Sequence, residues 1–113
     1  MPAHDRVKLA RDSYGAYETG DRRVIEQLLT DDFTFYSPAD VGIDRDTYFK
    51  RCWPNSELIE AFEFTRLVEV GDEVVVTYEG RKTDGNRFRN TEILTFRDDK
   101  ICRAEVYFGW NIE

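Results

Sequence analysis

The sequence predicts an α+β domain in which helices come first and a long antiparallel sheet follows. Two observations carry this. Up to about residue 53 the apolar side chains recur mostly at helical spacing, and from residue 57 they alternate with polar ones, so the period falls from 3.6 to 2. Gly- and Asp-containing breaks then cut the alternating half into four runs. No linker, repeat or low-complexity stretch divides the 113 residues, so one domain over 1–113 is expected, with its helices covering one face of a curved sheet.

The elements follow in order. Val7, Ala10, Tyr14 and Tyr17 stand at helical spacing over residues 5–18, and Gly20 supplies a left-handed stop. Asp21 is a natural N-cap for a second helix carrying Val24, Ile25, Leu28 and Leu29. Phe33 to Ser37 alternates as a short strand that Pro38 ends. Asp44 can cap a third helix with Tyr48, Phe49, Cys52 and Trp53 on one side, closed by Pro54. Then Phe62, Phe64, Val68 and Val70 alternate with Glu63, Thr65 and Glu69. Gly71-Asp72 turns the chain into Glu73–Gly80, Thr83 to Asn86 into Phe88–Arg97, and Asp98-Asp99 into Ile101–Trp110.

Composition narrows the function. With 41% hydrophobic and 14% aromatic residues the chain can bury one sizeable core, and large rings line apolar cavities as readily as cores. A net charge of -7 argues against nucleic acid, which needs a clustered positive surface. Only Arg81, Lys82, Arg87 and Arg89 form a local basic strip, of the kind that keeps hairpin edges soluble. No apolar run approaches a membrane span, and none at the N-terminus precedes a cleavage site, so a soluble, cytoplasmic protein is expected. Cys52 and Cys102 read as buried thiols. His4 is alone near the N-terminus, which leaves no histidine dyad and no metal site, and no cofactor is expected.

One carboxylate stands out. Asn90, Glu92, Leu94 and Phe96 share a strand face, so an inward orientation buries Glu92 as an acid among Phe35, Leu94, Phe96, Val106 and Phe108. Two readings follow. Glu92 either has a raised pKa and exchanges a hydrogen bond with a ligand, or it pairs with Arg66, Arg89 or Tyr78 and satisfies itself. Trp53 and Tyr78 suit core and pocket wall equally. In the last strand Ala104, Val106, Phe108 and Trp110 face opposite to Arg103, Glu105 and Tyr107, whose outer face fits a homodimer interface.

The order of Gly20-Asp21, Leu29-Thr30-Asp31-Asp32, Ser37-Pro38, Thr95 to Ile101 and Val106-Tyr107-Phe108-Gly109 resembles the nuclear transport factor 2-like superfamily, over nearly the whole chain. Within it the sequence is most similar to ketosteroid isomerase and the SnoaL-like proteins. The resemblance implies a conical α+β barrel, a strongly curved, mainly antiparallel sheet around three N-terminal helices, with a deep apolar pocket and often a dimer. It also implies roles. The isomerase base falls at Ser37 and its oxyanion-binding tyrosine at Ser13, with Tyr14 one residue off that face; Tyr17, one turn on, can offer a phenol instead. Glu92 matches the acid that donates to the oxyanion. Asp40, just after Pro38, is a candidate substitute base or a turn former. The epoxide hydrolase Asp-Arg-Asp pattern is not evident.

The expected function is therefore binding of a small apolar or carbonyl-containing ligand by Ser13, Phe35, Ser37, Trp53, Tyr78, Asn90, Val106, Phe108 and Trp110. The alternatives are an isomerase or lyase doing proton transfer with Glu92, Tyr17 and Asp40, and a structural protein-interaction module, which a filled cone would favour.

Overall fold

Asp5 caps the first helix, its carboxylate accepting from the Lys8 amide at 3.0 Å, and α1 (Arg6–Thr19) ends where Gly20 turns left-handed at φ 71°. The structure is a computed structural model and describes residues 5–112, so His4 lies outside the described residues. In α2 (Arg22–Leu28) Asp21 holds the N-cap position without a side-chain bond; its carbonyl accepts from Val24 at 3.2 Å instead. Leu29, expected in this helix, is already extended and opens β1 (Leu29–Tyr36). The acidic stretch Thr30-Asp31-Asp32 has no apolar alternation to announce a strand, but Leu29 pairs with Ile101 and so commits the chain to the sheet.

A strand too short for its alternation to announce it comes next. β2 (Val41–Asp44) lies antiparallel on β1, is largely exposed, and includes Gly42 at φ 68°. An edge strand with little to bury needs no apolar period. Asp44 then caps α3 (Arg45–Arg51), its Oδ1 accepting from Thr47 N at 2.9 Å. Pro54 sits in the first turn of a 3-10 helix, Trp53–Leu58, that continues beyond α3.

The remaining strands are β3 (Ile59–Val70), β4 (Glu73–Lys82), β5 (Arg87–Arg97) and β6 (Lys100–Ile112). They make one six-stranded sheet in the order β2-β1-β6-β5-β4-β3, antiparallel throughout except for the β1–β6 pair. Register shifts in β3 beside Thr65 and between β5 and β6 at Arg89 curve it. The sheet does not close, so the expected barrel is an open cone with β2 and β3 as its edges.

The helices fill the concave side. Ala10 and Tyr14 of α1 and Ile25 of α2 pack with Phe33, Val74, Val76, Phe96 and Ile101 of the sheet. Tyr48 of α3 meets the rings of Phe33 and Phe35, each at 5.2 Å, which lays α3 over the first strand. Cys52 and Cys102 are free and half-buried rather than fully buried.

Candidate functional site

Glu92 faces inward because β5 alternates and its neighbours settle the parity: Val76 on β4 and Val106 on β6 stand opposite it, both buried. Its Oε2 accepts from the Tyr78 hydroxyl at 2.7 Å, and the Asn90 amide donates to that same hydroxyl at 3.3 Å. Tyr14 lies beside them, its buried hydroxyl near Glu92 but without a hydrogen bond of ordinary geometry. Among the described residues no arginine pairs with the carboxylate. Arg89 lies 5.6 Å from the Trp110 ring and contacts Thr65 instead.

These groups surround a cavity of about 640 Å³. Its walls are mainly aromatic, with rings from Tyr14, Tyr17, Phe35, Tyr48, Phe62 and Tyr78 in the interior, and Phe108 and Trp110 towards the mouth, where they are 59% and 65% exposed. Burial raises the pKa of Glu92 above the ordinary carboxyl value, while the Tyr78 and Tyr14 hydroxyls pull it partly back. Burial, the largest cause in each case, also raises Tyr14, Tyr17, Tyr48 and Tyr78, with the Glu92 carboxylate adding to it. The phenols thus stay protonated at neutral pH. The interior offers hydroxyl donors around one weakened acid, a set suited to a ligand oxygen that accepts or shares a proton.

The other expected residues sort by position. Ser13, Phe35, Ser37, Asn90, Val106, Phe108 and Trp110 all line the cavity. Ser13's hydroxyl is turned back to the Ala10 carbonyl at 2.7 Å, and Ser37 Oγ accepts from the amides of Ala39 and Asp40 at 3.2 and 3.1 Å. Tyr17 lines the cavity with its hydroxyl hydrogen-bonded to that of Tyr48. Asp40 is on the wall too, and Arg51 Nη2 stands 2.7 Å from its Oδ1, an ion pair rather than a well-directed hydrogen bond. Trp53 does not line the cavity. It packs edge-on behind Tyr17 at 4.9 Å, because Cys52 has left α3 and the 3-10 turn carries the indole outside the wall.

Tyr14, Tyr48 and Lys82 were not among the expected site residues. Tyr14 belonged to the apolar stripe of α1 from the start: Ala10 and Tyr14, four apart, are the buried stripe, and the helix rolls so that this stripe, not Ser13, meets Glu92. Burial pushes the cavity-lining Cys52 thiol up to about 11, leaving it a poor nucleophile. Among the described residues no three His, Cys, Asp or Glu side chains converge as metal ligands.

The model of the SnoaL-like domain matches residues 10–104. The chain belongs to the SnoaL-like family. Solved structures of similar fold carry several chemistries. A Kribbella flavida protein assigned as a ketosteroid isomerase is similar with a TM-score of 0.80 and 18% identity, over 98% of this chain and 82% of its own. An epoxide hydrolase of the LEH-like kind from M. tuberculosis gives 0.78 and 15%, over 95% and 84%. IdmH of Streptomyces antibioticus, assigned as a polyketide cyclase, gives 0.75 and 19%, over 91% of each chain. At such identities the likeness is one of fold. No curated protein matches this SnoaL-like chain significantly in sequence. No helix among its described residues is long and apolar enough to cross a membrane.

Proposed function

We propose that this SnoaL-like protein binds a small apolar ligand bearing a carbonyl or comparable oxygen, held inside the cone against Glu92. The observation that carries this is an acid facing an aromatic cavity with a phenol and, among the described residues, no cation as its partner. An acid placed only for structure is normally neutralised by an arginine or lysine, since a lone buried charge is costly. A cavity of about 640 Å³ also exceeds what a protein-interaction module needs in its interior. The expected setting is the cytoplasm, as a homodimer through the outer sheet face.

The second reading is catalysis. Asp40 and Glu92 line one cavity, so a proton taken from carbon by Asp40 and an oxyanion met by Glu92, Tyr14 or Tyr17 would make an isomerase- or lyase-type step. Against it stands the Arg51 ion pair that occupies Asp40. Native mass spectrometry of protein purified from its own host tests the binding reading. It should reveal a retained small molecule, and a bare chain from several gentle preparations would count against it.

A further inference from the structure

Val76, Tyr78, Gly80 and Lys82 share the inward face of β4, so this strand runs from the level of Glu92 to the cavity mouth. Gly80 has a specific reason to be glycine. A Cβ there would lie 2.4 Å from the Phe88 ring, which therefore rests on bare backbone. The Lys82 ammonium stands 5.6 Å from the centre of that same ring. Phe88 thus holds the lysine head back over the level of Gly80, four residues from Val76 and roughly 13 Å along the strand from Glu92 at ~3.3 Å per residue.

Among the described residues Lys82 is the only cation that lines the cavity, and it has no carboxylate partner. Its neighbours on the basic strip are engaged, Arg81 with Glu60 and Arg87 with Glu79. The cavity's other acid, Asp40, is engaged with Arg51. The site is thereby polarised lengthwise, with hydroxyl donors and a carboxyl at the inner end, rings along the middle, and at the mouth one ammonium without a carboxylate partner among the described residues.

We infer that Lys82 selects ligands that carry a carboxylate on the end opposite the oxygen held at Glu92. The inference rests on the ligand-binding reading above and narrows it from apolar compounds in general to amphiphilic acids. The overall charge of -7 does not forbid this, because exposed charges more than a Debye length of about 8 Å away are largely screened, whereas Lys82 would touch the ligand.

Three fluorescent or calorimetric probes test it: 6-hydroxy-2-naphthoic acid, its methyl ester, and uncharged Nile red. The wild-type protein should bind the acid about three- to tenfold more tightly than the ester, the gain of one partly solvated ion pair. Lys82→Met should erase that preference and Lys82→Glu reverse it, with ester and Nile red affinities changing less than about twofold, since Lys82 is exposed at a strand end and the fold does not depend on it. If Nile red enters the cavity but acid and ester bind alike, or if Lys82→Met leaves the preference intact, the Lys82 assignment is overturned while the cavity reading stands. If none of the three probes binds, the cavity reading falls, and the selectivity with it.

Discussion

The Tyr78 hydroxyl donates to Glu92 Oε2 at 2.7 Å across adjacent strands, and this bond defines the inner end of the cavity. It ties a phenol that stays protonated to an acid whose pKa burial raises. Removing it with Tyr78→Phe leaves the carboxyl with one donor fewer and strands the Asn90 amide that points at the same oxygen. The expected loss of stability is about 1–3 kcal/mol once pH has risen past the raised folded pKa of Glu92, and less below it, where the carboxyl is protonated and accepts a weaker bond. Chemical denaturation across a pH series starting near 4.5 checks this; a loss that does not change anywhere along the series would contradict a charge-dependent bond.

Glu92 also sets a pH trend. Its folded pKa lies above the ordinary value of 4.5, so between the unfolded and folded values the native state holds a proton that the unfolded chain has released. Stability therefore falls as pH rises through that window, then levels off. Glu92→Gln removes the titration, so its melting temperature relative to wild type should climb from pH 5 to pH 8. A variant less stable than wild type at every pH above 5 would mark Glu92 as a structural charge partner.

Gly109 tests the geometry of the β5–β6 bulge. A Cβ at this position would sit 2.1 Å from the Arg89 carbonyl oxygen, backbone that cannot swing aside. Gly109→Ala should cost about 2–3 kcal/mol, and a thermal melt within a degree or two of wild type would show that the strands do not approach so closely there.

The homodimer proposal has a physical basis beyond Arg103, Glu105 and Tyr107. Val68, Val75 and Ile93 stand in register on the outer face of β3, β4 and β5, with Glu105 next in the row on β6, and Val68 is 49% exposed. Arg103 and Tyr107 already contact Glu105, at 3.4 and 3.2 Å, so the polar end of the row can be covered without orphaning a charge. Sedimentation should report about twice the 13.3 kDa chain mass, and Ile93→Arg should reduce it to the single mass. A wild-type monomer at all concentrations refutes the interface.

Most of the fold was legible because each long element buries one regular face. The inward parity of Glu92 followed from Asn90, Leu94 and Phe96 alone, and the capping roles of Gly20 and Asp44 from residue type. What escaped depends on three-dimensional setting. Val41 and Ile43 alternate with Gly42 and Asp44 over only four residues, too short a run to announce a strand, and only Ile43 is partly buried. The roll of α1 that brings Tyr14 to Glu92 is decided by packing against Phe62, Phe64 and Tyr78, which are far off in sequence. Trp53 shared an apparent face with Tyr48 only if α3 continued, and it stops at Arg51. Lys82 read as one member of a basic strip, because only the strand register shows that it alone turns to the cavity.

Carbon-13 NMR of the labelled Glu92 side-chain carboxyl tests most directly whether it is a cavity acid rather than an ion-paired one, with Glu92→Gln assigning the signal. The predicted titration midpoint lies above 4.5 and moves further when a neutral ketone such as 2-acetonaphthone fills the cavity. A midpoint at or below 4.5, unmoved by the ketone, would contradict it.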